Sequence, residues 1–218
     1  MQDIEILDLW KAYDQKLEET LLINRRNAIE ITKIKTKSLL SSMTPLKIFT
    51  IAIGIVWVCF VDLIIVSSFS YASPFFTVSA IIQVLLTKIA ILIYVYQLVV
   101  IQRVNINEPV LQTQEKLSTL KSSTLWVTRL LFLQCPVWTT FYLSKPMIVN
   151  SSSIFFITQT LTTVAFGYVS VWLFLNIKYE NRDKKWFKLI FKGKEWDPII
   201  KAMDLLEQVK EYKAVVLR

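Results

Sequence analysis

Residues 48–69 read IFTIAIGIVWVCFVDLIIVSSF and residues 75–101 read FFTVSAIIQVLLTKIAILIYVYQLVVI, two apolar runs parted by five residues. As helices they reach about 33 Å and about 40 Å, enough to cross a hydrocarbon core of about 30 Å. A core helix of a soluble protein rarely stays apolar on every face for that length, because its outer face must meet water. The pair therefore reads as a hairpin of transmembrane helices. Residues 125–143 and 154–177 repeat the pattern. The expected fold is an all-α integral membrane protein with four transmembrane helices in two hairpins, together with cytoplasmic amphipathic helices.

The rest of the chain gives the orientation. Lys and Arg number eight in residues 1–47, three in 102–124 and eleven in 178–218, against none in 70–74 and only Lys145 in 144–153. Cations collect on the cytoplasmic side of a membrane, so both termini and the middle segment are expected there. Trp126 and Trp172 then fall toward the inner interface, and Tyr71, Trp138 and Tyr142 toward the outer one, where amphipathic rings settle. Residues 1–45 carry 14 charges and no unbroken apolar core, so the first membrane helix is expected to direct insertion.

The polar segments have helical patterns of their own. In residues 1–45, Ile6, Trp10, Tyr13, Leu17, Leu21, Ala28 and Ile31 form a stripe at steps of three and four, which predicts one long amphipathic helix. Its charge is polarised: residues 2–19 hold six acids and two bases, residues 20–45 one acid and five bases. The basic half lies next to the membrane, where anionic headgroups favour it. After the first hairpin (46–101), Glu108 and Pro109 mark a helix start, and Val110, Gln114, Leu117, Leu120 and Thr124 carry a cytoplasmic extension (102–123) into the second hairpin (124–177). One long helix bent at Pro136 is predicted. In 178–218, Asp197 and Pro198 open a last amphipathic helix with Ile199, Met203, Leu206, Val209 and Val216. Three amphipathic helices on one side are expected to cover one another's stripes.

Composition removes whole classes of chemistry. The chain has no His, and Cys59 and Cys135 both sit inside apolar runs, so thiolate and imidazole metal sites lack ligands. Gly54, Gly167 and Gly193 are too far apart for a phosphate-cradling loop. No catalytic residue, cofactor site or metal site is expected.

Ionisable residues within the apolar runs need a reason, since each costs about 2.5–3.5 kcal/mol at the bilayer centre. Asp62 lies ten residues before Ala72 in the turn and Lys88 sixteen after it. That offset of six residues is about 9 Å along the axis, most of which a lysine stem can bridge. An Asp62–Lys88 ion pair that sets the hairpin register is the expectation. Arg129 lies near the inner end of its run and is expected to snorkel to the headgroups. In the last run, Gln159, Thr163, Gly167 and Ser170 recur at steps of four, four and three, a stripe suited to helix packing and interhelical hydrogen bonds. Beyond it, residues 178–196 interleave seven bases with five aromatics. Directly after a membrane helix, Lys184, Lys185, Trp186, Lys188 and Lys192 read as contacts for anionic lipid headgroups in preference to nucleic acid.

The stretches LWKAYDQKLEE (9–19), KLSTLKSSTLWVTRLLFLQCPVWTTF (116–141) and NIKYENRDKKWFKLIFKGKEW (176–196) together resemble a group of uncharacterised four-helix membrane proteins of Bacteroidota. The resemblance implies a bacterial source and an inner-membrane location, and supplies neither an activity nor functional residues. The resulting expectation is a non-enzymatic inner-membrane scaffold or regulator, binding a cytoplasmic protein partner or forming a homo-oligomer through its cytoplasmic helices. A regulator that sequesters a cytoplasmic protein, as a membrane-bound anti-sigma factor does, is one version. The alternative is an oligomeric small-solute or ion transporter or channel component, with Asp62, Lys88 and the 159–170 stripe along its path.

Overall fold

The structure is a computed structural model. It describes the backbone of residues 2–105, 108–193 and 195–216, and the side chains of residues 8–105, 108–109, 111–193 and 195–207. The expectations for Ile6, Val110, Val209 and Val216 as stripe residues lie outside the described side chains.

Among the described residues every regular element is helical. The α-helices are α1 (Gln2–Ser41), α2 (Thr44–Ser68), α3 (Pro74–Gln102), α4 (Val110–Phe132), α5 (Cys135–Thr140), α6 (Lys145–Asn150), α7 (Ser153–Asn176), α8 (Lys185–Phe191) and α9 (Asp197–Val216). A single 3₁₀ turn, Tyr179–Asn181, separates α7 from α8. Among the described residues, three helical stretches are long and apolar enough to cross a membrane: the one that ends in α2, α3 and α7.

Local chemistry explains the boundaries. Ser73, Ser144 and Ser152 sit at the N-caps of α3, α6 and α7, and each side chain accepts a hydrogen bond from a backbone N–H of the first turn. Pro74 follows Ser73 where its missing N–H costs nothing. Between α8 and α9 the chain turns at Gly193, whose φ of 145° only glycine adopts without strain. Between α1 and α2 there is hardly a boundary. Met43 keeps helical dihedrals, and the Lys47 N–H donates to its carbonyl at 3.1 Å.

The run 125–143 departs from expectation. It is divided between α4 and α5 instead of forming one bent helix. Pro136 is the cause, because it has no N–H to give the Phe132 carbonyl one turn back, and its ring crowds that turn. The last turn of α4 tightens instead: Leu133 N–H bonds Arg129 O and Gln134 N–H bonds Leu131 O.

Packing falls into two zones. Toward one end, α2 and α3 meet along Val58, Val61, Ala80 and Val84. They approach closely at Gly54, where an added Cβ would stand 3.1 Å from the Ile91 side chain. At the other end the amphipathic helices share one core, with Leu40 and Met43 beside Ile101, Leu117, Leu120, Ile199, Ala202 and Leu206. A second cluster joins Leu125, Leu173 and Ile177 to Phe187, Phe191 and Trp196. α9 thus packs on both α1 and α4, while the stripe expected to be covered on α1 stays exposed at Trp10, Tyr13, Leu17 and Leu21.

Candidate functional site

Lys88 Nζ lies 2.9 Å from Asp62 Oδ2. Helical side chains lean toward their own N-terminus, so in an antiparallel hairpin Lys88 leans toward the turn and Asp62 away from it. Their opposite tilts close the axial offset. The pair is not buried: its side chains are 51% and 42% exposed, and both face outward from the bundle.

The α7 stripe faces the broken helix. Gln159 Nε2 donates to the Thr139 carbonyl at 2.6 Å and to Thr163 Oγ1 at 3.2 Å, and Thr139 Oγ1 donates to Thr163 Oγ1 at 3.1 Å. The Tyr142 hydroxyl donates to Gln159 Oε1. Ser170 Oγ donates to the Phe132 carbonyl at 2.9 Å. Gly167 takes no part in this contact, since a Cβ there would meet nothing within 4 Å. Similar ties bind α3 to α5: Ser79 Oγ lies 3.0 Å from Thr140 Oγ1, and Gln134 Nε2 donates to Thr87 Oγ1 at 3.2 Å.

Arg129, expected to snorkel to the headgroups, bonds a backbone carbonyl at the end of α7. Its Nε and Nη2 donate to the Ile177 carbonyl at 2.8 and 2.5 Å, satisfying a group that the end of α7 leaves open. In the basic segment, Lys184, Lys185, Lys188 and Lys192 are exposed around α8, whereas Phe187 and Phe191 are buried beneath it. Trp186 turns inward, its ring 5.1 Å from that of Trp172. Lys121 Nζ stands 3.8 Å and the Arg182 guanidinium 4.8 Å from the centroid of the Tyr179 ring. Desolvation there, and next the Arg182 cation, lower the Lys121 pKa.

Two features escaped the sequence reading. The first is a polar network at the waist of the molecule. Lys47, counted above only as a flanking cation, is fully buried. Its ammonium donates to Gln97 Oε1 and stands 4.8 Å from the Tyr94 ring centroid. Gln97 Nε2 donates onward to Ser123 Oγ at 3.0 Å and Thr124 Oγ1 at 3.4 Å, and the Tyr94 hydroxyl to Glu195 Oε2 at 3.4 Å. The network joins α2, α3, α4 and the turn before α9. Gln97 was the available signal, a carboxamide inside an apolar run that needs partners there.

The second is how far α1 projects. Lys33 Nζ donates to the Glu108 carbonyl at 2.6 Å, and Lys47 reaches Ser123 through Gln97. The helix that lies along α1 is α9, which packs on α4 as well. α4 begins at Val110, so α1 extends well past it. Along that extension Trp10, Tyr13, Leu17 and Leu21 are exposed, Trp10 by 73%. Thr36 and Leu40 of α1, and Met43 just beyond its end, are buried on a side turned by about 100° from the stripe at 100° per residue.

No family model, curated protein or solved structure matches this chain.

Proposed function

We propose that the chain is a non-enzymatic scaffold or regulator that crosses the bacterial inner membrane four times, keeps both termini in the cytoplasm, and holds a protein partner through the projecting part of α1. The observation that carries this reading is the bare face of Trp10, Tyr13, Leu17 and Leu21 on a helix whose other end is packed. A contiguous apolar face kept in water marks a contact surface. Thirty residues separate Leu17 from Lys47, about 45 Å of helix, which puts the face beyond the reach of the membrane that holds α2. The four crossings rest on α2, α3, α7 and the paired α4–α5, whose polar ends find partners on α3 and α7. The outward surface of α7 supports lipid contact, because only Ser170 and Leu173 of that helix are buried. The lysines around α8 suit anionic headgroups.

The test is affinity capture of the full-length protein from native membranes in mild detergent, beside Leu17→Asp. The reading expects a protein that accompanies the wild type in fixed proportion and is lost with the variant. If nothing is lost with the variant, the reading fails. If Lys88→Met abolishes solute flux in proteoliposomes while the protein stays folded, the transporter takes its place.

A further inference from the structure

The Asp62–Lys88 pair closes the register of the α2–α3 hairpin, yet it stands half exposed on the outward surface of an apolar segment. Ionisable residues within a bilayer face a protein interior or a watery cavity, because hydrocarbon offers neither counter-charge nor hydrogen bonds. One intrachain contact leaves most of the ammonium's donors and the carboxylate's lone pairs unused. Something polar should cover them.

We infer that a second copy of this chain does so, packing the α2–α3 face of one protomer on the same face of the other about a two-fold axis normal to the membrane. The inference rests on the reading that this hairpin spans a bilayer. Charge complementarity selects the occupant. A two-fold axis beside a hairpin sets α2 of each copy against α3 of the other, at the same depth. Each Asp62 then meets the Lys88 of its partner, and two exposed ion pairs become a closed ring of four alternating charges. Both copies enter the membrane in the same direction, as copies of one chain must. Steps of three and four place Cys59 and Val66 on the Asp62 side of α2, and Leu85 and Leu92 on the Lys88 side of α3. All four are exposed, so the charges sit within a continuous outward face.

Cys59 is a native reporter, one turn from Asp62. Because α2 faces α3 of the other copy, the two Cys59 thiols stand on a diagonal, so in native membranes a short membrane-permeant bismaleimide is expected to give a covalent dimer that Cys59→Ser abolishes and Cys135→Ser leaves intact. Asp62→Asn and Lys88→Gln are each expected to lower its yield at least tenfold, and the exchange Asp62→Lys with Lys88→Asp to restore it. Because neutralisation can also loosen the hairpin, Leu85→Trp provides a second variant. It leaves the pair untouched at a site 58% exposed, and is expected to cut cross-linking with an unchanged melting temperature. Absence of a Cys59-dependent dimer in the wild type, or wild-type yield from Leu85→Trp, overturns the inference. Alkaline extraction of the same membranes tests the spanning reading separately: a released chain refutes that premise, whereas a retained monomer refutes the dimer alone.

Discussion

Ser170 Oγ donates to the carbonyl of Phe132, the group that Pro136 leaves without its helical N–H. A hydroxyl on α7 thus repairs the backbone of the α4–α5 break, the compensation that makes a proline tolerable inside an apolar segment. Ser170→Ala is expected to leave that carbonyl bare and cost about 1–3 kcal/mol. Pro136→Ala restores an N–H one turn after Phe132, so Ser170→Ala should cost much less in that background. Thermal unfolding of the four proteins of this double-mutant cycle in detergent measures the coupling, and additive effects would refute the assignment.

Lys47 is a buried cation whose ammonium is shared between Gln97 and the Tyr94 face. Lys47→Met takes away the donor that Gln97 Oε1 accepts from, with an expected loss of about 1–3 kcal/mol. Lys47→Met combined with Gln97→Leu replaces both partners by apolar groups. The hydroxyls of Ser123 and Thr124 still bond the Leu120 carbonyl, at 3.0 and 2.8 Å. The double variant should therefore be more stable than the single lysine variant in chemical denaturation.

Thr36 Oγ1 is the one buried side-chain polar atom among those described that has no hydrogen-bond partner. Valine has the same branched shape and no hydroxyl to desolvate. Thr36→Val is expected to raise stability by about 1 kcal/mol, seen as a higher melting temperature. A lower one would mean that the hydroxyl is satisfied.

Leu17→Asp and Trp10→Lys alter side chains 55% and 73% exposed on the projecting part of α1. Each should shift stability by no more than about 0.5 kcal/mol, since neither opens a cavity nor strands a buried group. A melting temperature that falls by many degrees would show that this face is already covered within the protein.

Periodicity and charge made the outline legible because both are properties of neighbouring residues. The 48–69 and 75–101 runs emerge as α2 and α3 within a few residues, and Pro136 marks the place where α4 stops. Asp62 and Lys88 could be matched because one short turn relates them. What stayed hidden depends on partners far along the chain. Gln97 meets Ser123 and Thr124 only after α4 has returned beside α3, and Tyr94 meets Glu195 about a hundred residues later. Nothing near Arg129 in sequence reveals that it bonds the open carbonyl of Ile177. Gly167 fits the spacing of a packing stripe, yet the wall it would approach is absent.

The short break between α1 and α2 has a mechanical corollary. With Met43 in helical geometry and the Lys47 N–H bonded to its carbonyl, the arm and the first apolar helix form a single stiff rod, with no slack linker between them. A twist applied at Trp10 would be carried along the helix, past the Leu40–Met43 core, to the Lys47 network. Movement of the far tip would therefore bear on how α2, α3 and α4 sit against one another.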